Sequence, residues 1–172
     1  MILTDAEILS CMERGTIKIE PFDASCMGSN SYDVHLGGIL GEYVERELDA
    51  KKHNKIELYP IPDEGIVLTP DRFYLGVTQE YTETLEHVPF LEGKSSVGRL
   101  GIDIHATAGK GDIGFCNFWT LEISVKQPVR VYAGMPIGQL IYFKVEGTVI
   151  NPYKDRKSTR LNSSHEWISR MP

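Results

Sequence analysis

Asn117-Phe118-Trp119-Thr120-Leu121-Glu122-Ile123-Ser124-Val125 is the stretch on which the reading of this chain turns. Trp119, Leu121, Ile123 and Val125 fall on one face, and Phe118, Thr120, Glu122 and Ser124 on the other. That period of two marks a strand. Short runs of the same kind recur at 16–20, 31–36, 40–46, 55–59, 65–69, 73–79, 102–107, 128–132 and 137–145. Their spacing, punctuated by 16 Gly and 9 Pro, predicts an all-β sandwich or barrel rather than β-α-β units. One helix is expected, at the N-terminus. Thr4-Asp5-Ala6-Glu7 forms a capping box, Ile8, Leu9 and Met12 follow at helical spacing, and Gly15 is placed to end it.

Composition narrows the function classes. Of 172 residues, 41% are hydrophobic and 24% charged, and mean hydropathy is −0.21, so a single globular domain is expected. Eighteen Lys and Arg stand against 24 Asp and Glu, for a net charge of −6, which argues against a basic nucleic-acid-wrapping surface. No apolar run approaches the ~20 residues of a membrane span, and no signal peptide opens the chain. Cys11, Cys26 and Cys116 form no C-x-x-C pair, so neither a disulfide framework nor a zinc knuckle is expected. A soluble, cytoplasmic protein follows, with no nucleic-acid or membrane partner. From Ser158 the chain loses strand alternation and shows no helix start. The domain is therefore read as 1–157, with 158–172 a non-native or disordered tail that resembles translated adapter read-through.

Two glycine patterns need separating from their look-alikes. Gly93-Lys94-Ser95 ends like a phosphate-binding P-loop, but Val88 stands where that motif requires glycine. Gly109-Lys110-Gly111-Asp112-Ile113-Gly114 fits G-x-G-x-x-G, yet a strand follows it instead of a helix. It reads as a glycine-rich turn between strands. Glu92 to Gly101 carries more chemistry. There Lys94 and Arg99 bracket the hydroxyls of Ser95 and Ser96, a set suited to a polyanion such as a triphosphate, although a solvated polar loop has the same composition. Glu122 is the unusual residue of its strand. If its face is exposed it is an ordinary surface acid; if its face lines a pocket, it suits proton transfer. Asp112 can accept from a sugar hydroxyl or position a water, or serve only the turn. His35 and His105 lack partners at metal-ligand spacing and are read as structural.

The ordered runs EGKSSVGRLG, HATAGKGDIGF, FWTLEISV and YAGMPIGQL, with GSNSYDVHLGG and ILTDAEI before them, resemble the dCTP deaminase branch of the dUTPase-like superfamily. The resemblance implies a mainly all-β, distorted β-barrel (β-clip) with a short N-terminal helix, assembled as a homotrimer with sites at subunit boundaries. It implies a hydrolase acting on a cyclic amidine C–N bond, with dCTP deaminated to dUTP and ammonia. Glu122 is implied as the acid/base, with Ser95 and Arg99 placing it and the reactive water. Lys94, Ser95, Ser96, Val97, Gly98 and Arg99 would hold the triphosphate, and Asp112 the deoxyribose. Backbone at Thr120 and Leu121 would read the pyrimidine, while Gln139 and Tyr153 align with further nucleotide-binding positions. Magnesium would enter through the substrate's phosphates, and no catalytic zinc is implied. Lys94 stands where arginine is common, trading a bidentate fork for a point charge. The lid residues of the family are not recognisable at Arg160, Leu161 and Ser164. Thr107-Ala108-Gly109 and Gln139 are similar to the bifunctional, dUMP-forming enzymes, so that alternative stays open. So do a dUTP diphosphatase and a non-catalytic nucleotide-binding regulator.

Overall fold

The chain is described by a computed structural model covering residues 1–150 and 153. Expectations for 158–172, including the lid positions, lie outside the described residues. Helix α1 (Asp5–Glu13) starts where the Thr4 side chain accepts from the Glu7 amide, at 3.4 Å. The other half of the capping box is not made, because Glu7 turns its carboxylate to Arg14 at 3.2 Å. Gly15, at φ +72°, donates to the Met12 carbonyl and ends the helix. Ile8 and Cys11 are buried whereas Leu9 is exposed. Residues three and four apart share a helix face, so Ile8, Cys11 and Met12 point inward and Leu9 falls off that stripe.

Eleven strands follow among the described residues: β1 (Ile17–Glu20), β2 (Tyr32–His35), β3 (Ile39–Tyr43), β4 (Ile56–Pro60), β5 (Ile66–Leu68), β6 (Tyr74–Thr84), β7 (His87–Gly93), β8 (Ile102–Asp103), β9 (Cys116–Val125), β10 (Val129–Val131) and β11 (Pro136–Lys144). A 3-10 turn covers Ala24–Cys26, and a one-turn helix, α2, covers Ser95–Gly98. The sheets run β4-β3-β6-β9-β8 with β1 on β6, β2-β11-β7, and β10-β5, and each reported strand pair is antiparallel. They wrap one apolar core, the mainly β barrel-like architecture with a short helix that was expected.

Three strand expectations change. The run 73–79 continues to Thr84 through a bulge between Val77 and Tyr81. There Thr78 Oγ1 donates to the Glu80 carbonyl at 2.9 Å and accepts from the Trp119 amide at 3.0 Å. Only 102–103 of 102–107 is strand. Strand β7 was not predicted, because Pro89 lacks the donor a central strand needs. The register shows why it is tolerated. The Leu91 amide donates to Gly109 O at 2.7 Å, on the edge away from β11. By alternation the Pro89 nitrogen faces that same edge, so the β11 ladder loses nothing.

The bulge also turns Glu80 inward, where its carboxylate accepts from the His35 amide at 2.9 Å and lies 2.6 Å from His35 Nδ1. Among the described residues no helix is long and apolar enough to cross a membrane, and no cluster of three or more His, Cys, Asp or Glu could hold a metal ion.

Tyr32, Leu140 and Leu91 sit side by side across β2, β11 and β7, with Leu140 fully buried. Leu140→Ala is expected to cost ~2–5 kcal/mol in urea unfolding; a loss under about 1 kcal/mol would remove this row from the core. Burial also holds the His87 imidazole below its ordinary 6.5. Below that pH the unfolded chain takes up a proton that the folded chain resists, so His87 withdraws stability as the solution is acidified. His87→Gln should flatten the fall in melting temperature between about pH 7 and 5, and an unchanged slope would contradict this.

Candidate active site

Strand β9 builds the first half of the site. Packing Trp119, Leu121, Ile123 and Val125 into the core forces Phe118, Thr120, Glu122 and Ser124 onto the opposite face, where all four are half-buried. Leu121 contributes its side chain to the core, and by alternation its backbone groups face Gly76 of β6, so the expectation that its backbone meets a ligand is not met within this sheet. Glu122 is therefore half-buried rather than fully exposed. On its face Leu75 and Val77 of β6 lie opposite Glu122 and Thr120. Tyr43, Ile56 and Phe118 pack on that pair as a small second apolar cluster. Burial raises the Tyr43 phenol pKa, with the nearby Glu122 charge adding to the effect.

Two polar details mark this face. Glu122 Oε2 accepts from the Ala106 amide at 2.9 Å, while Oε1 has no hydrogen-bond partner among the described residues. Thr120 Oγ1 is buried without a partner. The Glu122 amide donates to Ile104 O at 2.9 Å, so Glu122 and, by alternation, Thr120 turn their backbone groups away from β6. The ladder with 102–104 has ended by Thr120, which leaves that edge open to a ligand's hydrogen-bonding groups.

The loop that supplies the Ala106 amide is the glycine turn. Gly111 donates to Pro89 O at 2.8 Å and Leu91 to Gly109 O at 2.7 Å, so the loop lies along β7. A Cβ at Gly109 would stand 2.6 Å from the Leu91 carbonyl oxygen, and one at Gly111 would meet the Trp119 ring at 2.7 Å. The glycines are thus set by close approach of backbone to β7. Asp112 is exposed at the loop's tip and pairs with Lys110 at 2.5 Å. Just beyond it, the Tyr153 amide donates to Ile113 O at 2.7 Å, and the Tyr153 ring lies against Phe115. That docking brings Tyr153 beside the loop carrying Asp112.

The second half lies at the end of β7. Lys94 caps α2, with the Val97 and Gly98 amides donating to its carbonyl at 2.9 Å. Val97 is buried and anchors the turn. Ser95, Ser96, Gly98 and Arg99 are exposed, and the side chains of Ser95, Ser96 and Arg99 make no hydrogen bond or ion pair among the described residues. Lys94 pairs with Asp33 of β2, which also accepts from Gln139 Nε2 at 2.8 Å. Asp33 was not singled out from sequence; its one signal was an acid alternating with buried Tyr32 and Val34. Lys94 and Gln139 thus converge. No hydrogen bond or ion pair among the described residues joins this group to Glu122. His105 stands 3.6 Å from Glu92, and His35 serves the bulge.

Comparison with known proteins gives a consistent result. A family described as dCTP deaminase-like matches residues 2–145. A relative from Leptospira biflexa is 51% identical over 157 residues, covering 91% of this chain and 89% of its own. One from Cytophaga hutchinsonii is 48% identical over 157 residues, covering 91% and 90%. Both carry the name dCTP deaminase, dUMP-forming. The crystal structure of 2'-deoxycytidine 5'-triphosphate deaminase from Agrobacterium tumefaciens superposes with a TM-score of 0.65 at 22% identity, covering 82% of this chain and 47% of that one. That likeness concerns the fold.

Gly109→Ala tests the loop's placement. No rotamer relieves a Cβ facing a carbonyl, so a loss of ~1–3 kcal/mol is expected, with faster hydrogen exchange at the Ala106 amide. Unchanged exchange would show that the loop does not depend on this approach.

Proposed function

This chain belongs to the dCTP deaminase-like family, and from that premise we propose that it converts dCTP and two waters to dUMP, ammonia and diphosphate. The expectation of dUTP as released product gives way to dUMP, since relatives 46–51% identical are named dUMP-forming. The observation that carries the deamination is the Glu122 carboxylate: half-buried, with Oε2 tied to the Ala106 amide and Oε1 open.

In this reading Glu122 Oε1 takes a proton from the water attacking C4 of cytosine and delivers it to N3. The C4–N4 bond then breaks, the amino group leaves with a proton as ammonia, and C4 keeps the oxygen as a carbonyl. A carboxyl held by one oxygen can cycle through both states without swinging away, and such a positioned group contributes ~10²–10⁴-fold. Leu75, Val77, Tyr43 and Phe118 give the apolar wall a planar base requires, and the open β9 edge at Thr120 supplies backbone groups to read it, whereas Leu121 turns its own toward Gly76 of β6. Asp112 accepts from the deoxyribose, and Tyr153 flanks it. Lys94 through Arg99, with Gln139, hold the triphosphate, whose magnesium travels on phosphate oxygens. A second water then breaks the bond from the α-phosphorus to the bridging oxygen, releasing diphosphate. Ser95 and Arg99 place Glu122 and the first water from a neighbouring copy in a homotrimer; their side chains are exposed and make no hydrogen bond or ion pair among the described residues, which supports that reading. The setting is cytoplasmic.

Incubation with dCTP and magnesium, followed by nucleotide separation, should yield dUMP with stoichiometric ammonia and diphosphate. Accumulating dUTP would limit the reaction to deamination, and dUTP hydrolysis with dCTP untouched would overturn it. Glu122→Gln should bind dCTP yet lose about 10²–10⁴-fold in kcat; retained turnover would exclude the acid/base role.

A further inference from the structure

Asp33 lies outside every role assigned above, yet both of its carboxylate oxygens are taken by side chains from other elements. Oδ2 pairs with Lys94, just past the end of β7, and Oδ1 accepts from Gln139 Nε2 of β11 at 2.8 Å. The same Gln139 nitrogen lies 3.4 Å from Ser31 Oγ. Sheet register makes this convergence rigid, because Gln139 is paired with Asp33 on one side and Glu92 on the other. The carboxylate is mostly covered, at 20% exposure, and Lys94 at 28%.

We propose that Asp33 is the positioning residue of the polyphosphate arm, fixing the Lys94 ammonium and the Gln139 amide before substrate arrives. This rests on the reading of Lys94 and Gln139 as nucleotide-binding. The physical reason is the lysine itself. An arginine fork is planar and pre-organised, whereas an ammonium on a four-carbon stem carries no orientation of its own. Asp33 supplies that orientation while using one of three donors, leaving two for phosphate oxygens. A carboxylate only accepts, so Gln139 must present its nitrogen to Asp33. Its Oε1 is then the end available to a donor such as a nucleotide hydroxyl.

Asp33→Asn keeps the shape and an acceptor for Gln139 but abolishes the ion pair. Its KM for dCTP should rise about tenfold, the scale of one hydrogen bond to a charged group, with kcat within about threefold and the melting temperature nearly unchanged. Affinity for inorganic triphosphate should weaken in parallel. In a Lys94→Met background, where no ammonium remains to be placed, the same substitution should change KM less than about twofold. Asp33→Glu, which keeps the charge one methylene away, should recover part of the loss and serves if the Asn variant does not fold. An unchanged KM, a loss confined to kcat, or an equal loss with and without Lys94 would each overturn the proposal. Wild-type chain inert toward dCTP would sink the functional reading instead, whereas active wild type with an indifferent Asp33→Asn would sink only this inference.

Discussion

A strand cannot bury every second residue without turning the others the opposite way. In β9 that constraint sets both halves of the molecule's purpose. Trp119, Leu121, Ile123 and Val125 close the core, and the same alternation leaves Thr120 and Glu122 on a half-buried face. A one-residue slip in register would send Glu122 into the core and Leu121 out of it. The cost of burying an unpaired carboxylate makes that slip prohibitive. The acid therefore holds its position for the same reason the barrel holds together.

Around this strand the glycine loop solves a second problem. To bring the Ala106 amide to Glu122, the chain after β8 must double back and lie against β7. Backbone approaches to Leu91 O and the Trp119 ring leave no room for a Cβ. The loop's hydrogen bonds to Pro89 and Leu91 also satisfy an edge that proline would otherwise leave ragged. A pattern that looks like a nucleotide fingerprint is, in this structure, a device for close antiparallel packing of loop on strand.

Charge is distributed with similar economy. The molecule is acidic overall, with a net charge of −6, yet its α2 turn exposes Arg99 beside two hydroxyls and keeps Lys94 in place through Asp33. A local cation on a negative body draws an anion to one point rather than to the whole surface.

Much of this was legible in order of residues alone. The period of two in 117–125, the Thr4 cap and the stop at Gly15 depend on local sterics and hydrogen bonding, and each is found where the pattern put it. The resemblance of the four motif runs also held at the level of family. Other features depend on what comes alongside. β7 was invisible because Pro89 reads as a strand breaker until the edge its nitrogen faces is known. Residues 104–107 look like strand continuing 102–103, but their partner is the Glu122 side of β9 for one rung only. Asp33 gave little signal, since an acid between two apolar residues is the ordinary sign of a solvent face. Alternation along the chain determines which side a residue takes, while only the tertiary structure decides what stands opposite, because partners such as Asp33, Lys94 and Gln139 are distant in sequence and meet through sheet register.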